Sequence, residues 1–439
     1  MRLLRPSPLD RRILALSVPA LGAMAVEPIY GLVDTAIVGH LGRGPLGGLA
    51  IALTALNVGI YSAGFLSMVT AQRVAFRLGR GDPAAAARTV VSAYWLAAGI
   101  GLGLAVVAFT GARPIAGALG ADALVVDHAV TYLRVSAIGI PFQLFVLAGN
   151  GHRRGMADTR TPLRILVVAN VVNVVLELLF VPVFGLGVAG SALGTVVAQV
   201  VSGTWFLLLS AGLIGPRRLP CRADLVDLMR SGGVIVVRTV ALLAALTAAT
   251  AVAARLDTAK LGGHQIGIQV FFLLALTLDA LAVPAATFVA DALGRGDLEG
   301  AAQVARSSLR LSLLASLVTG AFAVLGAPFL PRLFSADGAV RSAATVALLL
   351  CGAAQPLAAL AFCFDGILLG AGDFAILRRS MLLALIPFAL PAAATLLWPQ
   401  LGIAGVWAAI SLWLASRAGL LACRWRSGRW LPTPSPSTA

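Results

Sequence analysis

Charge is the first scarcity of this chain. Acidic and basic residues together make up 12% of its 439 positions, and lysine occurs once, at Lys260. A soluble domain carries about 25% charged residues, so a water-facing surface of the usual kind is excluded. Aromatic side chains are also few, at 7%, with four tyrosines in all. The four cysteines, Cys221, Cys351, Cys363 and Cys423, have no metal-binding or disulfide spacing and read as small apolar fillers. The four histidines, His40, His128, His152 and His264, are scattered near the ends of apolar runs. That pattern lacks the paired histidines, Ser–His pair or facing aspartates of an intramembrane enzyme, so no enzyme and no metal site are expected.

What the chain has instead is apolar length. Hydrophobic residues make up 59% of it, and its mean hydropathy is +0.95. The apolar runs are long enough for membrane-spanning helices, not the alternating ten-residue strands of a barrel. An all-α polytopic membrane protein is expected, with spans near residues 13–38, 46–77, 86–109, 127–150, 161–183, 187–213, 230–253, 261–290, 302–325, 340–367, 377–398 and 402–423. The basic start, MRLLRPSPLDRR, leads into an apolar segment too long for a signal peptide and reads as an uncleaved first span.

The net charge of +15 is a matter of topology, not of nucleic acid. With twelve spans, 24 of the basic residues fall in one set of loops and span ends and 6 in the opposite set, with Arg134, Arg238 and Arg417 deeper. Both termini are therefore expected on the cytoplasmic side of a bacterial inner membrane. Arg134 and Arg417 read as snorkelling side chains, and His264 as an interfacial residue.

The chain repeats itself at a fixed offset of 215. Leu46-Gly47-Gly48 returns as Leu261-Gly262-Gly263, and Leu78-Gly79-Arg80-Gly81-Asp82 as Leu293-Gly294-Arg295-Gly296-Asp297. Asp122, Pro141, Gly155 and Asp158 return as Asp337, Pro356, Gly370 and Asp373. Six spans per repeat, an even number, give two halves that enter the membrane in the same direction. The expected division is an N-terminal six-helix lobe over 1–213, a cytoplasmic linker over 214–229, a C-terminal six-helix lobe over 230–423 and a cytoplasmic tail over 424–439.

Within these runs a few polar side chains stand out. An acid at bilayer depth costs about 2.5–3.5 kcal/mol on insertion scales. Glu27, Tyr30 and Asp34 share one helix face at i, i+3 and i+7, and Asn170, Asn173 and Glu177 repeat that spacing in the fifth span. Both stripes are expected to face a common chamber, with Asn150, Thr195 and Gln199 joining it. Two carboxyls in one poorly solvated pocket repel each other, which favours keeping a proton on at least one. Pro28 frees the carbonyl of Met24 and permits a bend. The second half carries Arg238, His264, Gln265, Gln269, Asp279, Gln355 and Asp365, among which Arg238 with Asp279 or Asp365 reads as a buried ion pair.

Val33-Asp34-Thr35-Ala36-Ile37-Val38-Gly39-His40-Leu41, the Asn170–Asn173–Glu177 spacing, Gly187-x-Ala189-Gly190-x-Ala192, Arg238, Leu278-Asp279 and Asp365-Gly366 resemble the multidrug and toxic compound extrusion (MATE) family, most closely its DinF branch. The resemblance runs from about Leu14 to Leu421. It implies two pseudo-symmetric six-helix bundles in a V and alternating access. It also implies antiport, in which a proton or sodium ion enters as a cationic or amphipathic drug or metabolite leaves. On that basis Asp34 is the coupling acid, with Glu177 and Glu27 beside it. Tyr30, Asn150, Asn173 and Thr195 belong to the pocket. Glu177 stands where the family usually has Asp, and Glu27 where it often has Gln. A sodium site built from Asp34, Asn173, Glu177 and Thr195 is compatible with that set. No cofactor is implied beyond the coupling ion, and the expected partners are lipid and small molecules around a monomer. An organic-anion exporter that uses Arg238, or a flippase of lipid-linked precursors, are the alternatives.

Overall fold

The computed structural model describes residues 7–214 and 219–431, apart from the side chains of Glu27, Leu32 and Ile214. Among the described residues the regular structure is helical throughout. The first half holds α1 (Pro8–Gly39), α2 (Arg43–Ala63), α3 (Phe65–Gly79), α4 (Pro83–Thr110), α5 (Ala112–Ala118), α6 (Val126–Ala137), α7 (Ile140–Gly155), α8 (Arg160–Phe180), α9 (Gly187–Leu209) and the short α10 (Ala211–Ile214). The second holds α11 (Arg222–Ala254), α12 (Thr258–Gly294), α13 (Leu298–Gly326), α14 (Leu330–Phe334), α15 (Gly338–Gly370), α16 (Phe374–Leu383), α17 (Leu385–Leu397) and α18 (Gly402–Arg426). Among the described residues eleven stretches are long and apolar enough to cross a bilayer, twelve if the bent pair α6–α7 is one span. The protein is thus an all-α polytopic membrane protein. Residues 215–218 of the expected linker and 432–439 of the expected tail lie outside the described residues. α11 already begins at Arg222, within the stretch expected to be linker.

Four expected spans are broken, at Gly64, at the α6–α7 bend, at Ser210 between α9 and α10, and at Ala384, and two of the breaks have a proline cause. α6 and α7 meet at 53° just before Pro141, which cannot donate to the carbonyl of Ala137. Ala384 separates α16 from α17, three residues ahead of Pro387, which likewise frees the carbonyl of Leu383. Gly64 separates α2 from α3. α1 runs unbroken through Pro28.

The sequence repeat returns as repeated geometry. Asp82 and Asp297 each accept a hydrogen bond from a backbone N–H three residues on, at 2.7 Å in both cases, and so start α4 and α13. The preceding glycines, Gly81 and Gly296, take φ of +72° and +75°, a left-handed turn that favours glycine. Asp122 and Asp337 cap the next turns in the same way. A Cβ on Gly48 would fall 2.4 Å from His128 Cβ, and one on the matching Gly263 would fall 2.5 Å from the matching Ala343 Cβ. Small residues at these points let helices touch where lipid gives no hydrophobic drive for association.

The chain divides into two compact units, residues 22–236 and residues 1–21 with 237–439. Both boundaries fall inside helices, α1 and α11. In the first unit the start of α11 is held by Arg73, whose Nε and one terminal nitrogen donate to the two oxygens of Asp227 at 2.7 and 2.8 Å. Arg77 pairs with Asp224 at 2.6 Å. In the second unit the start of α1 is held at Asp10, which is wholly buried and bonded by Ser307, Arg310 and the Ser7 amide. Arg12 lies over the Phe288 ring at 5.2 Å. The second unit packs around Trp407, Trp413, Phe271 and Leu278.

Candidate functional site

Asp34 and Glu177 meet in the first unit, brought together from α1 and α8. The Ser191 hydroxyl donates to Asp34 Oδ1 at 2.5 Å and lies 3.5 Å from Glu177 Oε1. The two carboxyls lie close enough to act on each other electrostatically. Both side chains are buried, at 1% and 0% exposure, and Asp34 Oδ2 and Glu177 Oε2 have no partner among the described residues. Two ionised carboxylates cannot hydrogen-bond each other; one added proton gives them a donor.

Tyr30 links this pair to the rest of its stripe. Its hydroxyl donates to Glu177 Oε1 at 2.9 Å, shares a hydrogen bond with the Thr195 hydroxyl at 2.8 Å and accepts one from Asn173 Nδ2 at 3.2 Å. The point that Glu177, Thr195 and Asn173 share is therefore filled by a phenol oxygen. Gly194 permits the approach, since a Cβ there would sit 2.9 Å from Glu177 Cγ. The glycine- and alanine-rich start of α9 thus has a local purpose, which is to let α9 lie against the acid on α8.

The carboxyls do not themselves line the adjoining cavity. That cavity is about 220 Å³, and Tyr30, Asn170, Asn173, Thr195, Asn150 and Gln199 are part of its wall. The arrangement expected from sequence, acids facing a common chamber, is therefore corrected in one respect. The acids sit one layer behind it, joined to it through Tyr30, Asn173 and Thr195. The physical reason is burial: Asp34 and Glu177 pack on each other and on Ser191, which covers them. The side chain of Glu27 lies outside the described residues.

Sequence reasoning missed Ser191 and Tyr132. Tyr132, on α6, is 1% exposed and lies beside Ser191 and Thr195, in the electrostatic field of Asp34 and Glu177. A phenol inside the apolar run of α6 was the available signal. Gln143, Tyr61 and Ser202 also line the cavity without having been picked out.

In the second unit Asp365 Oδ2 is the shared acceptor of Arg238, at 2.6 Å, and Arg417. Asp279 acts electrostatically on both guanidiniums. The Arg238–Asp365 pairing expected from sequence is present, but Arg417 does not snorkel. It is 2% exposed and its guanidinium lies 4.9 Å from the Trp413 ring centroid, because Asp365 holds it inward. His264, expected near the membrane interface, is fully buried within the protein, with Nε2 3.1 Å from the Thr250 hydroxyl. Gln355 accepts from Thr319 at 3.1 Å, whereas Gln265 and Gln269 are exposed and stand apart from this cluster. Arg134 is exposed, over the Phe109 ring.

The MatE family model matches residues 19–179 and 234–395. Protein DETOXIFICATION 44, chloroplastic, of Arabidopsis thaliana is 32% identical over 442 residues, covering 95% of this chain and 82% of that protein. The DNA damage-inducible protein F of Escherichia coli K12 is 27% identical, covering 96% and 94%. Among solved structures, an outward-facing multidrug resistance MATE transporter superposes with a TM-score of 0.88 at 21% identity, covering 98% of each chain. A MATE protein in the bent conformation gives 0.89 at 22% identity, covering 98% and 97%.

Proposed function

Because the chain belongs to the MatE family, whose members are transporters and not enzymes, we propose that it is a proton-coupled antiporter exporting amphipathic small molecules by alternating access. In this reading Asp34 and Glu177 form the coupling pair, and the cavity in front of Tyr30 holds the cargo. The observation that supports it is the pair itself: two carboxyls from separate helices that act on each other electrostatically, each with a buried oxygen that lacks a partner among the described residues. A proton taken up by the pair supplies a donor that two carboxylates lack; a sodium ion placed among Glu177, Thr195 and Asn173 would have to displace the Tyr30 hydroxyl.

Tyr30 supplies the coupling route. While Glu177 is ionised, the phenol must donate to it. When the proton is on Glu177 Oε1, that oxygen donates instead, and the Tyr30 hydrogen turns toward Thr195, 2.8 Å away. Protonation behind the wall thus reverses a donor on the wall. Cargo bound to one arrangement is released by the other, as the different affinities of the two states require. An imposed potential of 100 mV adds about 2.3 kcal/mol per charge moved.

An anionic cargo is less well served, because both Arg238 and Arg417 are engaged by Asp365. The arginine asymmetry supports cytoplasmic termini, and a bacterial inner membrane is proposed with them. The test is cargo-dependent dissipation of an imposed pH gradient in vesicles containing only this protein, with and without sodium. Asp34→Asn is expected to abolish the proton flux while sodium makes no difference. Undiminished, pH-driven exchange by Asp34→Asn would defeat the proposal.

A further inference from the structure

From a groove on the lipid-facing wall of the first unit we infer that the chain holds one anionic phospholipid of the bilayer, with an acyl chain in the groove and the phosphate on Arg134. This inference rests on the membrane-spanning fold and not on the proposed transport reaction. The groove lies between Gly59 of α2 and Leu104 and Val107 of α4. Leu133 of α6 and Ile140 of α7, both buried, form its floor, and Ile115 of α5 borders it. Every lining side chain is aliphatic. The volume is about 70 Å³, whereas sites for drug-sized molecules run to about 300–1,000 Å³, so the groove suits a stretch of one hydrocarbon chain. Val107 on its rim is exposed, as are Val58, Leu102 and Val106 around it, which is what contact with lipid requires.

Arg134 stands at the edge of this groove. It follows Leu133 in the chain, and its guanidinium lies 5.7 Å from the ring centroid of Phe109, which follows Ala108 of the groove lining. Phe109 is the last residue but one of α4, so the guanidinium is level with the end of that helix while Leu104 lies deeper. Charge at the helix end and hydrocarbon below it is the polarity of a phospholipid. Tyr132 packs toward Ser191 and Thr195. Arg134, two residues on, is turned about 200° from it and is exposed on the other side of α6, away from α1 and its acids. The acid on the same face of α6, Asp127, is engaged by Arg113 at 2.5 Å. Among the described residues no carboxylate pairs with Arg134.

The second repeat shows what this position needs for the fold alone. At the offset of 215 stands Leu349, which is exposed, an ordinary lipid-facing side chain. A guanidinium in its place is costly unless an anion meets it. A lipid phosphate does so through charge-assisted hydrogen bonds, for which the planar fork of arginine is suited. Phosphatidylcholine brings a cation of its own, which would face Arg134 and the nearby Arg113; phosphatidylglycerol brings none. The bound chain also has a structural consequence. Ile60 belongs to the lining of both the groove and the central cavity, and Ile140 opens α7 at the 53° bend. An acyl chain in the groove thus packs behind a side chain of the cavity wall and against the start of the bent helix.

The probe is dioleoyl phosphatidylglycerol, compared with dioleoyl phosphatidylcholine and with dioleoylglycerol, which lacks the phosphate. Binding of the first lipid to the delipidated full chain in detergent is read by native mass spectrometry, so a failure of proton coupling leaves the measurement intact. Phosphatidylglycerol is expected to bind at least about threefold more tightly than either comparison lipid. Arg134→Leu is expected to abolish that preference and Arg134→Lys to keep most of it; Arg134→Gln replaces the leucine variant if that one unfolds early. Gly59→Leu places its Cβ 3.6 Å from the Leu104 methyls, an ordinary contact, and fills the groove; it is expected to weaken phosphatidylglycerol by at least about threefold. Gly103→Leu, on the exposed side of α4 with nothing within 4 Å, is expected to bind like the parent. Unchanged midpoints of thermal unfolding before lipid is added separate loss of the site from loss of the fold. The inference is overturned if phosphatidylglycerol binds no more tightly than the comparison lipids, if the preference survives removal of the charge at position 134, or if Gly59→Leu binds like the parent.

Discussion

Ala157 takes φ of +57° at the end of α7, in the left-handed region. Its N–H bonds the Arg154 carbonyl, and the Asp158 N–H bonds that of Arg153. At the offset of 215 the same two bonds close α15 around Gly372, φ +74°. A side chain in this conformation costs about 1–2 kcal/mol, partly offset by the greater freedom of glycine in the unfolded chain. Ala157→Gly is therefore expected to raise stability by about 0.5–1 kcal/mol, and Gly372→Ala to lower it, both read from the midpoint of thermal unfolding in detergent. Single residues also mark how far the sequence could be read. Asp34 and Glu177 were legible because an acid in an apolar run is expensive and must be explained. Ser191 was not, because a helical hydroxyl can always satisfy itself on its own backbone and so leaves no signal. Arg417 misled for a different reason: its position along the chain did not reveal that Asp365 would reach it.

For whole helices, hydropathy placed nearly every span, yet it did not show where a span is interrupted. Pro141 and Pro356 occupy matching positions, and only the first accompanies a break, so proline alone does not decide the outcome. Nor did hydropathy separate the start of α11 from the linker, since Arg222–Met229 carries its polar residues toward α3, where Arg73 and Arg77 meet Asp227 and Asp224. The α8–α9 pairing yields a sharper expectation. Gly194→Ala puts a methyl 2.9 Å from Glu177 Cγ and should displace that carboxyl from Asp34 and Tyr30. Gly99→Ala, which meets nothing within 4 Å, serves as the control. Proton-coupled transport in vesicles is expected to fall at least about tenfold in the first and to stay unchanged in the second, with comparable protein in the membrane; a misplacement of about 1 Å can cost a hundredfold.

The whole molecule reads as one fold used twice with two different interiors. The first repeat keeps a pair of acids behind an amide-lined cavity; the second ties its buried aspartate to two arginines. Orientation is testable at Cys423, which is exposed near the end of α18. A variant retaining only that cysteine is expected to react with a membrane-impermeant maleimide in everted vesicles and not in intact cells. The helix bearing Asp34 starts in one compact unit and finishes in the other, and α11 does the reverse. Each polypeptide half consequently carries a piece that the opposite half needs to complete its packing. Cutting the gene between codons 214 and 219 should yield two fragments that are degraded when made alone and accumulate stably in the membrane when made together, so that neither repeat stands as an independent unit.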